Sequence, residues 1–481
     1  MSKMKILAIA SEIFPLVKTG GLADVVGALP LALAAEGVEV VTLVPGYPQV
    51  LKALEGGKKV AGFDDLFGAP ARILRGNAGA LELFVLDAPH FFQREGGPYL
   101  GPDGKDYPDN SFRFAALAKA GAALALGAAK GFAPDIVHAH DWQAGLVGAY
   151  LRYSGKRSPA IVLTIHNLAF QGLFPVDLLG PLGLPPQSFE RDGLEYWNQI
   201  SFLKAGIVYA DAITTVSETY AREILTAEIG MGFDGILRAR EADLYGIRNG
   251  IDGDVWNPAG DALIPQKFSA RKLAARAKNT RALREKMGLP EIEGALLLGV
   301  VSRLSQQKGL DLLAACAPLF APLNLQLALL GSGDPALEAA YRAAAEEEPE
   351  RVAVRMGYSE ELAHLIQAGA DALIVPSRFE PCGLTQLCAL RYGAVPLVAR
   401  TGGLADTIID ANDMALSAGC ATGLQFVSGS ADELVAALRK ATQLFADGAL
   451  WRQIQLNGMK CDVSWTQPAK KYATLYRTLA A

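Results

Sequence analysis

Lys18-Thr19-Gly20-Gly21-Leu22-Ala23-Asp24 near the start and Arg400-Thr401-Gly402-Gly403-Leu404-Ala405-Asp406 near the end share one hexapeptide behind a basic residue. Each follows a short apolar run, 6–10 in the first case and 395–399 in the second, and each opens an amphipathic helical pattern. A cation, two residues without a Cβ and a helix start together make an anion site. The glycines admit close approach, the amides point outward, and the helix dipole favours negative charge. One copy in each half points to two lobes that share a phosphorylated ligand. The bland alternative is that small residues simply let a helix pack on a strand. The copies stand at different places in their halves, so they do not mark a duplication.

Outward from these two stretches, short β-branched runs alternate with longer Ala/Leu helical patterns. Strands are expected at 5–10, 39–44, 81–86, 135–139, 160–165 and 212–216 in the first half. In the second half they are expected at 296–301, 325–330, 352–355, 372–375 and 395–399. Continuous apolar strands between helices imply an α/β fold with parallel sheets covered on both faces. In such doubly wound sheets the chemistry lies just beyond the strands' carboxyl ends. At 481 residues the chain suggests two domains of about 200–250 residues each. The alternation breaks after Asn249-Gly250-Ile251-Asp252, which gives a first domain of 1–252, and residues 465–479 read as one more helix.

Hydrophobic residues make up 51% and charged ones 20%, enough to bury two cores. A net charge of −5 argues against a nucleic-acid groove, whereas a neutral polymer partner needs no basic surface. Five cysteines without a C-x-x-C pair read as reduced thiols in a cytoplasm. The apolar start is too short for a signal peptide and ends at Glu12, so it reads as a buried strand. The Ala-rich stretch 114–132 is interrupted by Lys119 and Lys130, which makes it a buried helix and not a membrane span.

Several strand ends carry chemistry. His138-Ala139-His140-Asp141-Trp142 closes one strand and opens a helix that Asp141 is placed to cap. With His166 at the end of the next strand, three imidazoles and a carboxylate would suit a metal, but no further ligand stands at the right spacing and Asn167 is a hydrogen-bonding residue. Arg303 and Lys308 flank a loop before a helix start and suit a diphosphate, one as a planar fork and the other as a point charge. The richest stretch is Val375-Pro376-Ser377-Arg378-Phe379-Glu380-Pro381-Cys382-Gly383-Leu384-Thr385-Gln386, where a strand ends, Glu380 sits on a loop and a helix begins. Leu329-Leu330-Gly331-Ser332-Gly333-Asp334-Pro335 only approaches a dinucleotide fingerprint and reads as a strand-to-helix turn.

Taken in order, these motifs resemble the bacterial glycogen synthase and plant starch synthase family over essentially the whole chain. They are Lys-Thr-Gly-Gly-Leu-Ala-Asp, His-Ala-His-Asp-Trp, Thr-Ile-His-Asn, Asn-Gly-Ile-Asp, Arg-Leu-x-x-Gln-Lys-Gly, Pro-Ser-Arg-Phe-Glu-Pro-Cys-Gly-Leu-Thr-Gln and the closing Thr-Gly-Gly-Leu-Ala-Asp-Thr. The resemblance implies the GT-B fold, two doubly wound Rossmann-like domains facing a deep cleft. It implies a nucleotide-sugar domain at 253–458 and a helix at 459–481 that returns to the first domain. The implied reaction is transfer of glucose from ADP-glucose to the non-reducing 4-hydroxyl of an α-1,4-glucan, with retention, without metal or other cofactor. Neither nucleic acid nor membrane is an expected partner.

The resemblance also implies residue roles. Lys18, with Gly20, Gly21 and Asp24, belongs to the nucleotide-sugar loop, and Arg303 and Lys308 neutralise the leaving diphosphate. Asp141 is an acidic group that the family needs for activity, Glu380 lies beside the donor sugar, and the His166 carbonyl lies near the anomeric centre. Asn167 and Asn249 are sugar or phosphate contacts, Tyr358 an adenine-stacking ring, and Cys382, Gly383, Leu384 and Thr385 line the phosphate loop. Tyr99 and Trp142 are candidate aromatic platforms for the acceptor glucan. Tyr99, on a glycine-rich loop, is expected to be the more exposed of the two.

Two departures stand out: Cys388 occupies the second glutamate position of the wider GT-B pattern, which bears on the ribose contact, and Ser305 stands where Thr is usual. Competing readings are an epimerase, a nucleotide-sugar sensor, a metal-dependent hydrolase on the three histidines and a dinucleotide oxidoreductase. The last is disfavoured because no Gly-x-Gly-x-x-Gly follows the first strand.

Overall fold

Apolar strands flanked by helices build each half of the chain. In the computed structural model, which describes residues 3–481, the halves are two units: Met1–Asn249 with Trp465–Ala481, and Gly250–Ser464.

The first unit is organised by a nine-stranded sheet. Its strands are β1 (Met4–Ile9), β2 (Val38–Pro45), β3 (Glu55–Phe63), β4 (Ala71–Ala78), β5 (Leu81–Asp87), β6 (Ile136–His140) and β7 (Ala160–Ile165). A small separate sheet holds β8 (Leu173–Pro175), β9 (Glu195–Tyr196) and β10 (Gln199–Ser201), and β11 (Ala212–Thr215) and β12 (Leu244–Gly246) complete the large one. The order is β12-β11-β7-β6-β1-β2-β5-β4-β3. From β12 to β5 all pairings are parallel, and β4 and β3 add an antiparallel edge. The central β6 is buried throughout, as a strand covered on both faces must be.

The second unit has six parallel strands in the order β15-β14-β13-β16-β17-β18. These are β13 (Leu296–Val301), β14 (Leu325–Gly331), β15 (Val352–Met356), β16 (Ala372–Val375), β17 (Val395–Ala399) and β18 (Leu424–Phe426). In both sheets the strand order reverses at one place. The reversal lies between β1 and β6 in the first unit and between β13 and β16 in the second. Connections leave in opposite directions there and open a crevice beyond the strands' carboxyl ends. Lys18 and Asp141 follow β1 and β6, while Arg303 and Glu380 follow β13 and β16.

The helix Thr466–Ala480 belongs to the first unit, where Ala469, Tyr472, Ala473 and Tyr476 pack with Val25, Leu29 and Leu33 of the helix Gly21–Ala34. The expected boundaries shift slightly. Ile251 donates its N–H to the Val463 carbonyl and packs with Leu387 and Leu390, so the second unit begins at Gly250 and not at 253. Residues 459–464 stay with that unit too, because the helix Gly448–Lys460 ends there, and the return to the first unit starts at Trp465.

Candidate active site

Beyond β1, the buried Glu12 gathers the glycine loop around its carboxylate. It accepts from the Thr19 N–H, the Thr19 hydroxyl (2.6 Å), the Gly20 N–H (3.3 Å) and the Tyr99 hydroxyl. The first amides of the loop therefore face an anion supplied by the protein itself. The helix Gly21–Ala34 follows with Gly20 as its N-cap and no capping bond from a side chain, so its own first amides stay available. A Cβ on Gly20 would meet nothing within 4 Å. Lys18 is exposed, 2.8 Å from Asp24, with its ammonium 5.3 Å from the Phe14 ring centre.

The second copy of the hexapeptide is used differently. Gly402 has φ 44°, and a Cβ there would lie 1.9 Å from the Glu380 carbonyl oxygen, while one on Gly403 would lie 2.3 Å from that of Cys382. The Gly403 N–H donates to the Glu380 and Pro381 carbonyls, each at 3.1 Å. These glycines let the helix Gly402–Thr407 press against the Glu380 loop. At Gly402 and Gly403 the second copy therefore shows the close packing that was the alternative reading of the motif.

Asp141 follows β6 with φ 55°, a left-handed conformation uncommon outside glycine. Its carboxylate accepts the N–H groups of His166 (2.7 Å) and Asn167 (3.5 Å) across the end of β7, and does not cap its own helix. The expected N-cap role gives way to a cross-strand one. Burial pushes its carboxyl up to about 7, even though those two amides pull the other way and only the nearby Glu12 charge adds to the rise. Beside it, His140 Nδ1 and His166 Nε2 are 3.0 Å apart, and the His138 and His140 ring centres are 4.1 Å apart. Burial lowers His140 to about 3 and holds His138 and His166 well below the ordinary imidazole range, so all three are neutral. Among the described residues, no three His, Cys, Asp or Glu side chains are grouped to hold a metal ion.

In the second unit, two of the expected site residues touch. Lys308 Nζ lies 2.5 Å from Glu380 Oε2, which also accepts from the Ser377 hydroxyl at 2.9 Å. The loops are knitted together because Gly309, at φ 63°, comes so close to the Pro376 carbonyl that a Cβ would sit 1.9 Å from it. Arg378 reinforces the join with a bidentate pair to Asp311, 2.6 Å on each arm. Arg303 is exposed and has no ion pair among the described residues. The Thr385 hydroxyl reaches the Val301 carbonyl at 3.4 Å, which sets the start of the helix Thr385–Tyr392 at the end of β13. That start carries no side-chain cap, Gly383 turns into it at φ 71°, and Leu384 and Cys382 flank it.

The remaining expected residues are scattered. Tyr358 follows β15, is 69% exposed and bonds its hydroxyl to Glu360, leaving the ring face open to a planar ligand. Asn249 is buried with its Oδ1 unpaired. Tyr99 is not the exposed ring its glycine-rich loop suggested. Its hydroxyl binds Glu12 and Ser11, and its ring lies 5.8 Å from that of Phe114. Trp142 is half-buried likewise, 5.0 Å from Phe114, with Phe174 and Phe202 around it.

Against this geometry, residues 5–239 match the starch synthase catalytic domain family and residues 283–444 the glycosyl transferases group 1 family. A glycogen synthase of Methylocella silvestris is 61% identical over 100% of this chain and 99% of its own length. One from Rhodopseudomonas palustris is 59% identical over the whole of both chains. The chain belongs to the glycogen synthase family. The catalytic domain of starch synthase IV from Arabidopsis thaliana, solved bound to ADP and acarbose, superposes with a TM-score of 0.88 at 31% identity over 100% of each chain. A sucrose-phosphate synthase from Thermosynechococcus elongatus shares the fold alone, with a TM-score of 0.60 at 20% identity over 99% of each chain. The architecture is GT-B and the chain is a glycosyltransferase.

Membership of the glycogen synthase family makes two local features legible. Cys388 is buried with Leu387, Leu390 and Val398 in an apolar cluster. Glu12, Ser377 and the Arg378–Asp311 pair were not foreseen as site residues. The signal for Glu12 was present: a carboxylate directly after a buried strand has to find donors, and the glycine loop supplies them.

Proposed function

We propose that this glycosyltransferase moves glucose from ADP-glucose to the non-reducing 4-hydroxyl of an α-1,4-glucan by front-side attack, with Arg303 and Lys308 receiving the charge of the departing diphosphate. The contact that carries the assignment is Lys308 Nζ on Glu380 Oε2 at 2.5 Å, beside the exposed Arg303 and the uncapped helix start at Thr385. Two cations and open amides at one switch point suit a diphosphate, and stabilising the charge that develops there usually contributes more to such catalysis than any other single effect. Lys18, Asp24, Gly20 and Gly21 are assigned to the same donor, Asn167 and Asn249 to its polar groups, and Tyr358 to the adenine. The plant starch synthase solved with ADP supports the adenine nucleotide.

Retention follows when the leaving phosphate oxygen takes the proton of the acceptor hydroxyl as the new C–O bond forms on the same face. Two observations favour this over a glycosyl-enzyme intermediate. Asp141, raised to about 7, is partly protonated at neutral pH, and Glu380 is held by Lys308. Neither is a free nucleophile of the kind a double displacement needs. His140 and His166 pair with each other, and His138 is held by Thr164 and Tyr476, which supports a reaction without metal. Five thiols, none joined in a disulfide, support a reducing cytoplasm. No helix among the described residues is long and apolar enough to cross a membrane.

Incubation with ADP-glucose and malto-oligosaccharide under chelator should lengthen the glucan, and UDP-glucose should serve poorly. Elongation lost to chelator, or a glucosyl group trapped on Asp141 or Glu380, would refute the scheme.

A further inference from the structure

Tyr476 stands in the C-terminal helix, far from either glycine loop in sequence, yet its hydroxyl is 2.7 Å from His138 Nδ1. His138 Nε2 is 2.6 Å from the Thr164 hydroxyl, which is 2.6 Å from that of Thr214, and the Thr214 hydroxyl reaches the Leu163 carbonyl at 3.4 Å. Every member of this chain is buried. Only one direction gives each proton an acceptor. Thr214 donates to Leu163, Thr164 to Thr214, His138 through Nε2–H to Thr164, and Tyr476 to His138 Nδ1. The opposite direction leaves the tyrosine proton with no acceptor among the described residues.

We propose that Tyr476 is a positioning residue for the Asp141–His166 site, acting by fixing the tautomer and orientation of His138. The route is short. The His138 ring stacks on His140 with centres 4.1 Å apart and planes 37° apart, His140 Nδ1 pairs with His166 Nε2 at 3.0 Å, and the His166 N–H holds the Asp141 carboxylate at 2.7 Å. Burial keeps all three imidazoles neutral, so each must choose one protonated nitrogen, and the choice at His138 is made by its two partners. The returning helix thereby reaches the ends of β6 and β7 through a side chain, beyond covering the sheet. The inference rests on the reading that Asp141 and His166 serve glucosyl transfer.

Tyr476→Phe removes one oxygen and leaves His138 Nδ1 without its donor. The chain carries five histidines, few enough for isotope-labelled imidazole spectra to report each tautomer without any substrate. In Tyr476→Phe the His138 Nδ1 signal should shift, because that nitrogen loses the hydrogen bond it accepts and the ring its second anchor. We expect kcat to fall about tenfold with the KM for ADP-glucose held within about twofold, the mark of a displaced reacting group and not of lost binding. Thr164→Val cuts the same chain from its other end and should give the same split, which keeps the test open if the tyrosine variant fails to fold. Folded variants with kcat within about twofold of wild type would overturn the proposal. So would a loss of kcat accompanied by lower thermal stability and unchanged histidine signals. If the wild-type chain transfers no glucose, the functional reading fails, while the spectra still test the link between Tyr476 and His138.

Discussion

Lys308 and Glu380 form a short ion pair, 2.5 Å from Nζ to Oε2, between two loops that leave neighbouring strands of the second sheet. The pair does two jobs that mutation separates. Lys308→Ala should lower kcat about 100- to 1,000-fold by removing a cation from the departing diphosphate. It should also destabilise the second unit, because the Glu380 carboxylate keeps only the Ser377 hydroxyl. Adding Glu380→Gln should recover the thermal stability and leave turnover low. Near-normal glucose incorporation by Lys308→Ala would contradict the assigned role.

Asp141 carries a cost that its position imposes. Its native carboxyl titrates near 7, against an ordinary value near 3.8, because burial disfavours the ion. Between those two values the native state holds a proton that the unfolded state has released. Stability therefore falls as pH rises across that window and is flat above it. The full penalty is on the order of 4 kcal/mol before relaxation. Asp141→Asn should consequently raise the melting temperature at pH 8 and change it little at pH 4, while abolishing most glucosyl transfer. Equal melting shifts at both pH values would show that the carboxyl is not displaced.

Much of this was legible because buried parallel strands announce themselves. The runs at 160–165, 372–375 and 395–399 coincide with β7, β16 and β17 to the residue. The antiparallel edge was not foreseen, since β3 reads Glu-Gly-Gly-Lys-Lys-Val-Ala-Gly-Phe, mostly exposed and without an apolar run. At the site, sequence placed Lys308, Glu380 and Asp141 at strand ends but could not show what each one binds. Asp141 looked like a helix cap, and only the cross-strand register shows its carboxylate on the amides after β7. Tyr99 looked exposed because its loop is rich in glycine, and the buried Glu12 that draws its hydroxyl inward lies 87 residues away in sequence.

The two copies of Thr-Gly-Gly-Leu-Ala-Asp should respond oppositely to the same substitution. Gly20 has φ −155° and open space around a would-be Cβ, so Gly20→Ala should fold normally. Any loss there should appear as a raised KM for ADP-glucose. Gly402→Ala places a Cβ 1.9 Å from the Glu380 carbonyl at a positive φ, and should unfold at clearly lower temperature or fail to accumulate. Calorimetry and donor saturation curves on both variants decide the matter. A well-folded Gly402→Ala would show that the Glu380 loop yields easily.

A buried pair in the second unit sets a limit at alkaline pH. His364 Nδ1 is 2.8 Å from Asp261 Oδ2, which also accepts from the Tyr392 hydroxyl at 2.6 Å, and Trp256 stacks on the imidazole at 3.9 Å with planes 13° apart. Burial opposes the imidazolium, but the hydrogen bond to Asp261 and the carboxylate of Glu360, 3.4 Å from Nε2, outweigh it and raise His364 to about 9 from an ordinary 6.5. A group raised on folding contributes stability that is complete below its unfolded value and is lost as pH climbs through the folded one. The melting temperature should therefore fall between pH 6.5 and 9 in the wild type, and the fall should be shallower in His364→Gln. Trp256 offers an internal reporter, since the stacked imidazolium quenches indole emission and its deprotonation should release that quenching with a midpoint near 9. A midpoint near 6.5, with parallel melting curves for the two proteins, would mean that Asp261 and Glu360 do not hold the proton.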